Sequence, residues 1–219
     1  MNKISLVCYL FFLSTFNSVV FADTEQEELD RKMYIAVATQ DYEKFKEYLF
    51  SGGEPNAITE KPWYPSSSLC EATRKGNEKY LDLIINSMEA DEVLKGVSST
   101  KNAVNCAIQY KNIEAFKKFI SIGLDVTAVV DPDLPENTHR TWLDIAWRKR
   151  KSEIMWYIIQ RSQPTEIQKS RINRSLQKFG GFEGSEDVQY FEKIANWLIE
   201  QGYDVNLAPP APDPRTIKR

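Results

Sequence analysis

Few residues in this chain could do covalent or acid–base chemistry. There is one histidine, His139, so no Ser-His-Asp or Cys-His arrangement has a spare partner, and no zinc site of ordinary His/Cys composition can be assembled. His139 reads as a loop surface residue. The three cysteines, Cys8, Cys70 and Cys106, form no Cys-x-x-Cys pair. No Gly-x-Gly-x-x-Gly or phosphate-loop motif occurs, and the Gly180-Gly181 pair reads as a flexible insertion. Carboxylates are plentiful at 31, but no spacing singles out an acid/base pair, so they read as scattered surface charge. No cofactor or metal is expected, and the chain points to binding rather than turnover.

The elements that must carry any binding surface announce themselves by a repeat. Apolar residues at i, i+3, i+4 occur as Phe45, Tyr48, Leu49, then Leu81, Ile84, Ile85, then Phe116, Phe119, Ile120, then Met155, Ile158, Ile159, and faintly as Ala195, Leu198, Ile199. The steps are 36, 35, 39 and 40 residues, a spacing long enough for one supersecondary unit. Such a unit cannot bury its apolar face alone, so copies must stack. The 3.6-residue spacing predicts helices. In the third unit it places a first helix over Ala103 to Tyr110 and a second over Ile113 to Ser121. Gly123 ends the second helix, as Gly52-Gly53 and Gly202 do elsewhere.

These residues resemble the ankyrin-repeat family. Gly202-Tyr203-Asp204-Val205-Asn206 looks like the end of such a repeat. Thr141-Trp142-Leu143-Asp144-Ile145-Ala146-Trp147 looks like its Thr-Pro-Leu-His-x-Ala-Ala opening, with Trp142 and Asp144 in place of proline and histidine. Ser67 to Thr73 and Asn102 to Ile108 are further degraded copies. Gly76-Asn77 matches the turn between the two helices, and Gln40-Asp41, Lys111-Asn112 and Arg150-Lys151 stand in its place elsewhere. The resemblance spans residues 30 to 206. It implies an all-α fold, an ankyrin-like solenoid of about five helix-turn-helix repeats with degenerate capping units. Leu29 to Gln40 would cap one end, and a helix over Glu166 to Phe179, which lacks the opening motif, would begin the other cap. A proline-rich tail follows from residue 207.

The resemblance also implies that loops and first helices line a concave face where a protein partner docks, and three clusters fall there. Trp63 and Tyr64, held between Pro62 and Pro65, would supply rigid aromatic anchors or fold back over the core edge. Asp131, Asp133 and Glu136 form an acidic loop stiffened by Pro132 and Pro135. Trp147, Arg148 and Arg150, with Lys149 and Lys151, would pair with an acidic partner or serve the helix dipole. Trp156 and Trp197, next to stripe positions, are expected in the core.

Residues 1–22 read as a secretory signal: Lys3, an apolar run from Ile4 to Phe16, and Ala22 before the polar Asp23-Thr24-Glu25. Its removal leaves 27 basic against 31 acidic residues, a net −4, which argues against a nucleic-acid binder. No later segment is apolar enough to span a membrane. Cys70 and Cys106 then remain, an even count that permits one disulfide in an oxidising compartment, the alternative being two buried thiols. The expectation is an exported, periplasmic, non-enzymatic protein. Its partner would be a cognate toxic effector encoded nearby, which it blocks as an immunity protein. A scaffold in oxidant defence and an enzyme with an unrecognised carboxylate pair are the alternatives.

Overall fold

The computed structural model describes residues 25–59, 66–94, 102–130, 140–178 and 186–212. These residues are all-helical, with no strand among them beyond two isolated antiparallel bridges, Thr59 with Ser66 and Val129 with Thr141. The expected signal segment, Trp63, Tyr64, Asp131, Asp133, Glu136, His139 and Gly180-Gly181 lie outside the described residues.

The chain divides into two compact units, Met1–Lys95 and Gly96–Arg219. The first holds α1 (25–38), α2 (Tyr42–Phe50), α3 (Ser68–Ala72), α4 (Glu78–Ser87) and α5 (Ala90–Val93). The second holds α6 (Ala103–Gln109), α7 (Ile113–Ser121), α8 (Trp142–Arg148), α9 (Ser152–Ile159), α10 (Glu166–Leu176) and α11 (Glu186–Glu200). In the first unit α4 packs on α2, α3 and α5. In the second, α6 packs on α7 and α8, α9 on α7, α8 and α11, and α10 on α11.

The apolar stripes build the cores. Phe45 and Leu49 of α2 and Leu81 and Ile84 of α4 are buried, joined by Met33 and Val37 of α1 and Leu69 of α3. Tyr80 is fully buried among them, edge-on to Phe45 (5.2 Å between ring centres) and Tyr42 (5.4 Å). In the second unit Phe116 and Phe119, Met155 and Ile158, and Ala195 and Leu198 do the same. The faint fifth stripe breaks at Ile199, which is exposed. Trp156 and Trp197 are half-buried rather than core, one position off the inward face of their helices.

Helix ends explain the repeat spacing. Gln40, Gly76, Lys111 and Arg150 have φ of 61°, 91°, 54° and 55°, each in the turn before a second helix. The positions are 36, 35 and 39 residues apart. At Lys111 the left-handed residue donates to Ile108 O (3.1 Å), and Asn112 N–H donates to Ala107 O (2.9 Å), a Schellman closure. Gln40 with Asp41 and Arg150 with Lys151 repeat both bonds. The next residue then caps the following helix: Asp41 Oδ1 accepts from Lys44 N (3.2 Å) and Asn112 Oδ1 from Ala115 N (3.1 Å). One left-handed residue thus reverses the chain and starts a new helix.

The opening motif works through its own side chains. Thr141 N–H and Oγ1 both donate to Asp144 Oδ2 at 3.0 Å, so Asp144 does at the start of α8 what a capping-box acid does. Gln168 Nε2 adds bonds to Thr141 Oγ1 (2.9 Å) and Asp144 Oδ2 (3.2 Å), tying the start of α10 to that of α8. Trp142, in place of proline, is fully buried, and its Nε1 finds no partner among the described residues. The α10 helix ends at Leu176 rather than at Phe179, with Gln177 as its C-cap donating to Asn173 O.

Candidate binding clefts at the end of helix α8

The C-terminus of α8 and the left-handed turn at Arg150 place three of the expected binding residues together. Trp147 is half-buried, while Arg148 and Arg150 are exposed, and all three border one cleft of about 250 Å3. Its floor is apolar: Met155 of α9, Ile172 and Leu176 of α10, and Phe191 of α11, each buried. Ser175 contributes a hydroxyl to the wall. The positive φ of Arg150 is what turns the chain back at this rim, because an ordinary helical residue there would carry α8 onward.

A second cleft, of about 270 Å3, shares Arg148 and is lined by Asn105 of α6, Arg140, Ile145 and Lys149. Its character is different, with three cations converging on it. Lys149 Nζ donates to the neutral Gln109 Oε1 at 3.1 Å. Burial holds the Lys149 ammonium below the usual lysine range, and the neighbouring charges of Lys151 and Arg148 push it further down.

Several carboxylates of this unit have partners away from these clefts. Asp187 accepts from Lys111 (3.0 Å) and Ser152 (2.8 Å), Glu153 from Tyr190 (3.1 Å), and Asp144 from Arg171 (3.5 Å) besides its cap bonds. On the other face of α9, Tyr157 carries the Arg161 guanidinium 3.6 Å above its ring, with Phe116 edge-on at 6.4 Å. In the first unit, a cleft is lined by Glu25, Glu28, Lys32 and Glu47 with Leu29, Tyr48 and Ser51, and within it Glu28 pairs with Lys32 (3.7 Å).

The other expected residues divide as follows. Cys70 lies in α3, buried and disulfide-bonded; Cys106 lies in α6, buried and likewise disulfide-bonded. Trp63, Tyr64, Asp131, Asp133 and Glu136 lie outside the described residues, so nothing brings them to α8. Sequence reasoning missed the floor of the first cleft on α10 and α11, although Ile172 and Leu176 stand one helical turn apart and carried the signal. It also missed Arg140, which no motif marks, and gave Asn105 no role beyond its place in the degraded opening motif.

Among the described residues no group of three or more His, Cys, Asp or Glu side chains is placed to hold a metal ion, and no helix is long and apolar enough to cross a membrane. No protein-family model matches the chain, and no curated protein matches it.

Proposed function

We propose that this is an exported, ankyrin-type solenoid that acts by binding a protein rather than by catalysis. In this reading it is a periplasmic immunity protein that covers the active site of a toxic effector enzyme encoded nearby. The observation that carries the binding reading is the cleft beside α8. A half-buried tryptophan and two arginines border an apolar floor, and aromatic and arginine side chains around a desolvatable pocket are the composition of interface hot spots. The 36-, 35- and 39-residue spacing of the left-handed turns supports the repeat reading. The apolar segment at residues 4–16 and the small Ala22 support export. The effector assignment rests on compartment and architecture, not on a site.

In the mechanism, an apolar side chain of the partner fills the cleft over Met155 and Phe191. Arg148 and Arg150 steer acidic groups around it and raise the association rate. The test is capture on the tagged chain from periplasmic extract supplemented with the product of the adjacent gene. One stoichiometric partner whose activity disappears in the complex supports the reading, and Arg148→Glu should weaken that capture while leaving thermal unfolding in place. A partner that stays active moves the weight to a scaffold role, and turnover by the purified chain alone would overturn the non-enzymatic reading.

A further inference from the structure

We infer that the cleft between Asn105, Arg140, Ile145, Arg148 and Lys149 is a carboxylate-binding site. Three cations converge on one concavity of about 270 Å3, and none of them pairs with a carboxylate among the described residues. Lys149 is half-buried, and its ammonium donates to a neutral amide oxygen, that of Gln109. Burying part of a cation beside two like charges is unfavourable unless an anion supplies the missing field. Burial, Lys151 and Arg148 all hold the Lys149 ammonium below the usual lysine range, in keeping with a cleft crowded by like charge. The cleft also has shape. Ile145 and Asn105 are buried and form its wall, so an occupant meets a partly desolvated surface, not an open lysine patch. The two guanidinium groups offer paired donors for a carboxylate's two oxygens, and the ammonium supplies a third. The carboxylate can belong to an acidic side chain of a bound protein or to a free organic acid.

The test uses the full chain with two probes, citrate and a pentaglutamate peptide, titrated at constant ionic strength. Nitrogen–proton shifts of the Asn105 side-chain amide and of the Arg140, Arg148 and Lys149 backbone amides are followed. Saturable binding by either probe, with a dissociation constant of roughly a millimolar or tighter, is expected. Lys149→Gln and Arg140→Gln should each weaken it by about tenfold or more, while Lys149→Arg retains it. Arg174→Gln, on the exposed face of α10 outside the cleft, should leave it unchanged. Tighter binding of the peptide assigns the site to a protein carboxylate, and tighter binding of citrate to a free acid. Shifts that stay linear with both probes, or a Lys149→Gln variant that folds and binds as the parent does, overturn the inference. If Lys149→Gln fails to fold by far-UV circular dichroism, Arg140→Gln and Arg148→Gln decide it by the same titration.

Discussion

Lys111 Nζ lies 3.0 Å from Asp187 Oδ1, joining the left-handed turn between α6 and α7 to the first turn of α11 across 76 residues of sequence. Both side chains are about three-quarters buried, at 29% and 26% exposure, and Ser152 Oγ donates to the same oxygen at 2.8 Å. Asp187 also sits in the first turn of its helix, where negative charge is favoured by the macrodipole. A double-mutant cycle with Lys111→Met and Asp187→Asn should give a coupling of about 1 kcal/mol by urea denaturation. A coupling near zero would make the pair a bystander.

Gln40 tests the left-handed turns. It is exposed and at φ 61°, a conformation that costs a non-glycine residue about 1 kcal/mol. Gln40→Gly should therefore stabilise the chain by roughly 0.5 kcal/mol once the added freedom of the unfolded glycine is subtracted. Gly53→Ala should do the reverse and more strongly. Its added Cβ would stand 2.9 Å from Tyr48 O and 3.0 Å from the Met33 sulfur. Midpoints of denaturant unfolding for the two variants should move in opposite directions.

Asp125 carries a pH signature. The Thr127 hydroxyl (2.7 Å) and the Thr127 backbone N–H (2.8 Å) donate to its Oδ1 and hold its carboxyl below the usual aspartate range. A folded pKa below the unfolded one means stability that is present above the unfolded value and lost as pH falls through the folded one. The group is exposed, so the effect is screened to below about 1 kcal/mol. The stability gap between the parent and Asp125→Ala should be full at neutral pH and close as pH drops below the ordinary aspartate range. A gap that persists at low pH would point to loss of packing instead.

Lys149 should show a trade between stability and binding. Replacing a half-buried, like-charge-crowded cation with an apolar side chain of similar volume is neutral or stabilising. Lys149→Met is expected to match or exceed the parent's melting temperature while losing carboxylate binding. A marked drop in stability would assign Lys149 a structural role through its bond to Gln109.

Thiol titration examines the cysteines. Cys70 and Cys106 are each in disulfide form, and on the proposed reading export would remove Cys8. The mature protein, denatured without reductant, should release no thiol, whereas Cys70→Ser or Cys106→Ser should each expose one. Two thiols in the unreduced parent would return both residues to the role of small buried hydrophobes.

The sequence by itself determined the helices and where they turn. The i, i+3, i+4 stripe marks the inward face because the α-helical period is a local property of the backbone, and the helix predicted over Ile113 to Ser121 has those bounds in the structure. The turn positions were legible from the resemblance of Gly76-Asn77 to a repeat turn: Gly76, and Gln40, Lys111 and Arg150 standing in its place, all take positive φ. The basic run from Arg148 to Lys151 was legible as charge. What only the tertiary structure decided is which side chains from distant segments share one space. Met155, Ile172 and Phe191 meet beneath Trp147 because α9 and α10 both pack against α11, and Arg140 joins Arg148 and Lys149 because the chain enters α8 close to where α6 lies against it. Those convergences depend on the lengths and angles of packed helices, which no local spacing encodes. The exposure of Ile199 is of the same kind: the pattern marks it as a stripe position, and only tertiary packing decides that it faces solvent.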